Sequence, residues 1–155
     1  MNTKKVILTV LAAFLCVSIQ AQSLRFNPDT KSEVKLLWSG SRFDVDVNDN
    51  GRHKVSKFAF ETDKRLHVKL DDFNFDEVGD FAVWHTDDGM GFYKVFRVFI
   101  YDAKKGVFME GFSRCGGEFI NLTIDKQNKS LNSTYYEDNI PKQCVTKLPT
   151  KAANR

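Results

Sequence analysis

Apolar and polar residues alternate with a period of two along most of this chain, and no segment sustains the 3.6-residue period of an amphipathic helix. Val34 to Trp38 and Arg42 to Val47 read as strands; the second sets Phe43, Val45 and Val47 against Asp44 and Asp46, one face buried and the other wet. Alternation resumes through Val55, Phe58 and Phe60 after Asn48-Asp49-Asn50-Gly51, and Asn-Gly between two alternating runs is a strong hairpin signal. Further strands are expected at Arg65 to Leu70, Phe81 to His85, Val107 to Phe112, Phe119 to Ile124, Ser130 to Tyr136 and, briefly, Cys144 to Leu148. Gly91 to Tyr101 is largely apolar at both parities and predicts a central strand covered on both faces. The pattern predicts an all-β fold, an antiparallel sandwich or propeller-like sheet of about ten short strands.

The amino terminus breaks the pattern. Lys4 and Lys5 precede an apolar run from Val6 to Ile19, and Ala21 offers a small residue before Gln22. This is the layout of a secretory signal over residues 1–21, resembling bacterial export signals, and the run falls short of the roughly 20 apolar residues of a membrane span. A periplasmic or secreted protein with no transmembrane segment is expected, with one β domain over residues 22–148 and a flexible tail over 149–155. Removing Lys4 and Lys5 with the signal leaves 21 basic against 20 acidic residues, a net of +1. Such a balance lacks the clustered basic face that nucleic-acid binding requires. Cys16 leaves with the signal, so Cys115 and Cys144 are the two thiols to reach an oxidising compartment, where they are expected to form a disulfide.

Two acidic segments invite a calcium reading. Asp46 to Gly51 places oxygen donors at positions 1, 3 and 5 and glycine at 6, but Lys57 stands at position 12, where a bidentate Glu belongs, so a hairpin turn is expected. In Asp71-Asp72-Phe73-Asn74-Phe75-Asp76-Glu77-Val78-Gly79-Asp80, counting from Asp72 puts side-chain oxygens at 1, 3 and 5 (Asp72, Asn74, Asp76), the Val78 carbonyl at 7 and Asp80 at 9. A strand with Phe73 and Phe75 buried and the acidic residues solvated accounts for the same spacing. Glu77 occupies position 6, where glycine ordinarily makes the sharp turn.

Residues 55–137 resemble a recurring module of exported bacterial proteins. The resemblance is carried by Asp72-Phe-Asn-Phe-Asp76, Gly79-Asp80-Phe81-Ala82-Val83, the aromatic run from Tyr93 to Tyr101 with Asp102, Gly106-Val107-Phe108, and Leu122 to Tyr135. That module carries D-x-N-F-D-G-Y-x-D-L; it is similar in fold to periplasmic inhibitors of I-type lysozymes, and its acidic loop resembles the calcium loops of FG-GAP blades. The resemblance implies calcium on Asp72, Asn74, Asp76, Val78 and Asp80. Such inhibitors insert a Ser-Gly loop into the enzyme cleft, and Ser39-Gly40-Ser41-Arg42 is similar to it; a Ser-Gly turn between strands explains these residues equally well.

No nucleophile with an adjacent base can be read from the sequence, and His53, His67 and His85 lack metal-ligand spacing. The function expected is that of an exported, non-catalytic, calcium-stabilised binding protein of the bacterial cell envelope, lysozyme-inhibitor-like, with a protein or glycan partner. The alternative is a small hydrolase of envelope polysaccharide that uses carboxylates brought together by the fold, such as Asp87 or Asp88.

Overall fold

The computed structural model describes residues 21–150. The signal sequence, except for Ala21, and the tail beyond residue 150 lie outside the described residues. Eleven strands and no helix make up the described chain, so none of its helices is long and apolar enough to cross a membrane. The first sheet is a meander of β1 (Gln22–Phe26), β2 (Ser32–Ser39), β3 (Arg42–Asp49) and β4 (Arg52–Ala59). The second contains β5 (His67–Asp71), β6 (Asp80–Thr86), β7 (Lys94–Asp102), β8 (Val107–Gly111), β9 (Phe119–Asp125), β10 (Ser130–Glu137) and β11 (Ile140–Thr146). Its order is β11-β10-β9-β7-β6-β5, with β8 also paired to β7, and every pairing in both sheets is antiparallel.

The alternation of β3 is realised as read, with Phe43, Val45 and Val47 buried. They meet Val34 and Leu36 of β2 and, from the second sheet, Phe81, Val83, Phe99, Tyr101 and Phe108. Face-to-face packing of the two sheets makes this a sandwich. Phe81 is the hub, stacked on Phe99 at 4.8 Å and on Phe43 at 5.8 Å, and edge-on to Phe108 at 4.8 Å. On the opposite face of β6 and β7, Ala82, Phe96, Val98 and Ile100 join Phe73, Phe119, Leu122, Leu131 and Leu148 in a second core. Burial on both faces is why β7 is apolar at both parities. Leu148 enters this core across Gly111, where a Cβ would come within 3.1 Å of the leucine methyls, so Leu148 lies directly on the β8 backbone.

The turns follow their residues. Asn50 and Gly51 both take positive φ (50° and 85°) in the two-residue turn between β3 and β4, as expected of Asn-Gly. Asp138 and Asn139 do the same (50° and 61°) between β10 and β11, a turn the hydrophobic pattern does not announce. β11 therefore starts at Ile140 rather than near Cys144, and Pro141 is tolerated because β11 is an edge strand. β1 is a further strand not expected from the pattern. β4, at the other edge of the first sheet, exposes Arg52, Lys54 and Lys57, charges that discourage edge-to-edge pairing. Cys115 and Cys144 form the expected disulfide, with Cα atoms 6.0 Å apart, tying the β8–β9 connection to β11.

β7 shares one of its edges between two partners: Val95 and Phe96 pair with β9, and Val98 to Asp102 with β8. The residues the second sheet sends into the inter-sheet core come from β6, β7 and β8, flanked by Val68 of β5, and none from β9, β10 or β11. The first sheet thus covers one half of the second and leaves the same face of the other half open.

Candidate functional site

The acidic segment is neither a strand nor the polar face of one: β5 ends at Asp71, β6 begins at Asp80, and residues 72–79 form a loop folded around its own side chains. Asp72 accepts the N–H groups of Asp76 (3.1 Å) and Glu77 (2.8 Å) on its two oxygens, and Asp76 accepts the Val78 N–H at 3.0 Å. Asn74, 2 % exposed, donates its amide to Asp76 at 2.9 Å and to the Pro149 carbonyl at 3.2 Å, fastening the end of the described chain to the loop. Asp80 lies at the base, 1 % exposed, accepting the Phe73 N–H on one oxygen and the Tyr101 N–H on the other, each at 2.9 Å. Burial pushes its carboxyl up to about 7, against the downward pull of those two N–H groups.

Glu77 takes φ +67°, a left-handed conformation that glycine adopts freely and other residues at a cost. The turn is therefore made without glycine, at a steric cost. Glu77→Gly is expected to raise stability by about 1 kcal/mol, the relief of a left-handed non-glycine residue less the greater freedom of glycine in the unfolded chain, read from urea denaturation midpoints.

The donors of the loop are all oxygens, the chemistry hard calcium takes. In this arrangement the side-chain oxygens of Asp72, Asn74, Asp76 and Asp80 accept backbone N–H groups, and among the described residues no three His, Cys, Asp or Glu side chains converge as a metal cluster. The histidines are separately engaged. The His53 ring Nδ1 lies 3.0 Å from an Asp46 carboxylate oxygen, His67 stacks on Trp84 at 4.2 Å, and the His85 Nδ1 donates to the Thr86 carbonyl at 2.8 Å. Ser39 to Arg42 forms a two-residue hairpin turn: Ser39 pairs with Arg42, Gly40 has φ +57°, and the Ser41 carbonyl accepts the Phe60 N–H at 2.9 Å.

The open face of the second sheet carries two hollows joined by one row of side chains. His85, Val95, Ile120, Thr134 and Gln143 are direct cross-strand partners in succession, so their side chains share a face, and His85 shares it with Phe81 and Val83 on β6. At the His85 end is a hollow of about 370 Å³ lined by Glu61, Asp87, Asp88, Arg97 and Glu118. Arg97 is already engaged there, donating two bonds to Glu110 (2.7 and 2.8 Å) and one to the Ala59 carbonyl (2.7 Å), and the bond to Glu110 holds its pKa up. Asp87 accepts the N–H groups of Tyr93 (2.8 Å) and Gly91 (3.2 Å), and the Tyr93 bond leads in pulling its carboxyl below the usual range. Asp87 therefore stays ionised as the clasp of the β6–β7 turn. Asp80, the carboxyl pushed up by burial, lines neither hollow.

The clasped turn presents Met90 and Phe92 to solvent, 78 % and 73 % exposed. Tyr93, just behind them, meets Tyr136 of β10 edge-on at 5.6 Å. At the Gln143 end of the row is a groove of about 300 Å³ lined by Asn121, Thr123, Asn132, Thr134 and Gln143. Neither the turn nor the groove is prefigured by a motif. The signal available was Asn-x-Thr on β9 and again on β10, polar residues at the spacing that keeps one strand face uncharged. No family model, curated protein or solved structure matches the chain.

Proposed function

We propose that the chain is an exported, non-catalytic binding module of the bacterial cell envelope, braced by calcium on the 72–80 loop, with a protein or glycan partner. The observation that carries this reading is the clasped turn: Asp87 fixes a backbone whose outermost side chains, Met90 and Phe92, are apolar and exposed. Large apolar side chains held out by a fixed backbone are what recognition surfaces use, because little order has to be imposed on binding. Asp72, Asn74, Asp76, the Val78 carbonyl and Asp80 are the residues that would hold calcium, and the ion would offset the repulsion of Asp72, Asp76 and Asp80 where the second core meets the end of the described chain. The hydrolase alternative draws on Glu61, Asp88 and Glu118 of the charged hollow.

The test is capture of a partner from envelope extract by the wild-type protein and by Phe92→Ser, with calcium and with chelator, followed by assays of I-type lysozyme inhibition and polysaccharide hydrolysis. Capture that is lost in Phe92→Ser at unchanged thermal stability supports the binding reading; hydrolysis that is lost in Glu118→Gln supports the enzyme. Calcium at 100 times its dissociation constant is expected to add about 2.7 kcal/mol, a rise in Tm of roughly 10 °C that Asp76→Ala abolishes. An unchanged Tm in calcium and in chelator removes the ion from the proposal.

A further inference from the structure

We propose that the open face of β9, β10 and β11 is a binding site for a neutral glycan, whose hydroxyl groups are met by Asn121, Thr123, Asn132, Thr134 and Gln143. This deepens the binding-module reading by naming a ligand class, and rests on that reading. Amide and hydroxyl side chains each donate and accept, as sugar hydroxyls do, and a groove built from them suits a ligand whose polar groups are of both kinds. Of the five, the Asn121 carbonyl has an internal use, accepting the Lys94 N–H at 3.0 Å, which fixes the residue. Ser133, between Asn132 and Thr134 and directly opposite Cys144, turns its side chain to the other face of the sheet and leaves the groove to its two neighbours.

Two departures from regular strand geometry occur here. Asn121 takes φ +52°, and the β9–β10 register shifts between Asn132 and Thr134. Such bulges bend a strand and re-aim its side chains, and here they fall on the groove itself. Charge complementarity narrows the ligand. In a chain with 28 % charged residues, no acidic residue lines the groove, and its one cation, Lys142, is paired with Glu137. An anionic polymer would find no free counter-charge, and a basic peptide no carboxylate. Tyr93 and Tyr136, 36 % and 40 % exposed, add an aromatic pair for the apolar face of a sugar ring. A volume of about 300 Å³ is at the small end of ligand sites, fitting an open groove that holds part of a longer chain.

The experiment is titration of the mature protein with soluble cello-, xylo-, manno-, laminari- and chito-oligosaccharides, followed by backbone amide NMR. Expected are saturable shifts at residues 120–123, 132–136 and 141–144 with at least one of these sugars, and an affinity at least about tenfold lower in Asn132→Asp and Gln143→Ala, one lost hydrogen bond being worth about a factor of ten. Both variants lie on the surface of the sheet and are expected to keep the wild-type Tm. No saturable shift with any of the oligosaccharides, shifts centred elsewhere, or undiminished affinity in both variants overturns the proposal. Sugar binding absent while Phe92-dependent capture persists overturns the glycan site alone and leaves the binding module standing; loss of both overturns both.

Discussion

Asp80→Ala is expected to destabilise the folded chain by about 3 to 5 kcal/mol, the largest effect of any single polar substitution considered, because it orphans two buried N–H groups at about 1 to 3 kcal/mol each. Those groups belong to Phe73 and Tyr101, one in the acidic loop and the other in the central strand, so one carboxyl joins positions 7 residues before it and 21 residues after it. Asp80→Asn keeps one acceptor oxygen and is expected to lose about half as much. Chemical denaturation in chelator measures both. The pH dependence has a definite sign. Burial raises the carboxyl from 3.8 to about 7, with smaller upward contributions from Asp76 and Asp72, so folding favours its protonated form. Its contribution to stability is complete below about pH 4 and is lost as pH rises through about 7, an effect of up to about 4 kcal/mol by linkage. Asp80→Asn should flatten that part of the profile; an equally steep fall in the variant would assign the dependence to another group.

The second large effect is that of the disulfide. Cys115 and Cys144 are 29 residues apart, and in the chain-entropy model closing such a loop stabilises the folded state by about 3 to 4 kcal/mol. The double variant Cys115→Ser, Cys144→Ser is expected to lose that amount by chemical denaturation, with a Tm lower by roughly 10 to 15 °C. The location sharpens the expectation. Cys144 is fully buried beside Ser113, whose hydroxyl lies 3.6 Å from its sulfur, while Cys115 sits in the turn before β9. Loss should therefore centre on β11 and the 113–117 turn. If thiols titrate in the non-reduced, denatured wild type, the bond is absent and the variant should match it.

Period-two alternation was enough to place most strands because each has a face in one core or the other: Phe43, Val45 and Val47 in β3 write the sandwich core directly into the sequence. β1 escaped that reading because its alternation is short and only half-buried, with Leu24 and Phe26 separated by Arg25. The start of β11 escaped because its first four residues are exposed on an edge, where little apolar patterning is needed. At the acidic loop, spacing identified the side chains that matter while leaving their partners open. Period two there reflects alternate residues folding their oxygens back onto the backbone, in a loop and not a strand. Glu77 could not be read either, since a positive φ at a non-glycine residue is imposed by the loop that surrounds it. The groove is a property of sheet width: which half of the second sheet remains uncovered depends on where the first sheet ends, and no local pattern records that.

The divided edge of β7 gives the molecule a seam. β9 is held to β7 through Val95 and Phe96, whereas β9, β10 and β11 pair with one another along most of their lengths. Those three strands form a leaf whose backbone ladder to the sandwich is only that short join; the second core and the disulfide, which holds β11 to the turn after β8, fasten it otherwise. The row from His85 to Gln143 crosses the join, so one continuous side-chain face runs from the sandwich onto the leaf. The position of the groove is thereby fixed by side-chain packing and one covalent bond more than by backbone pairing.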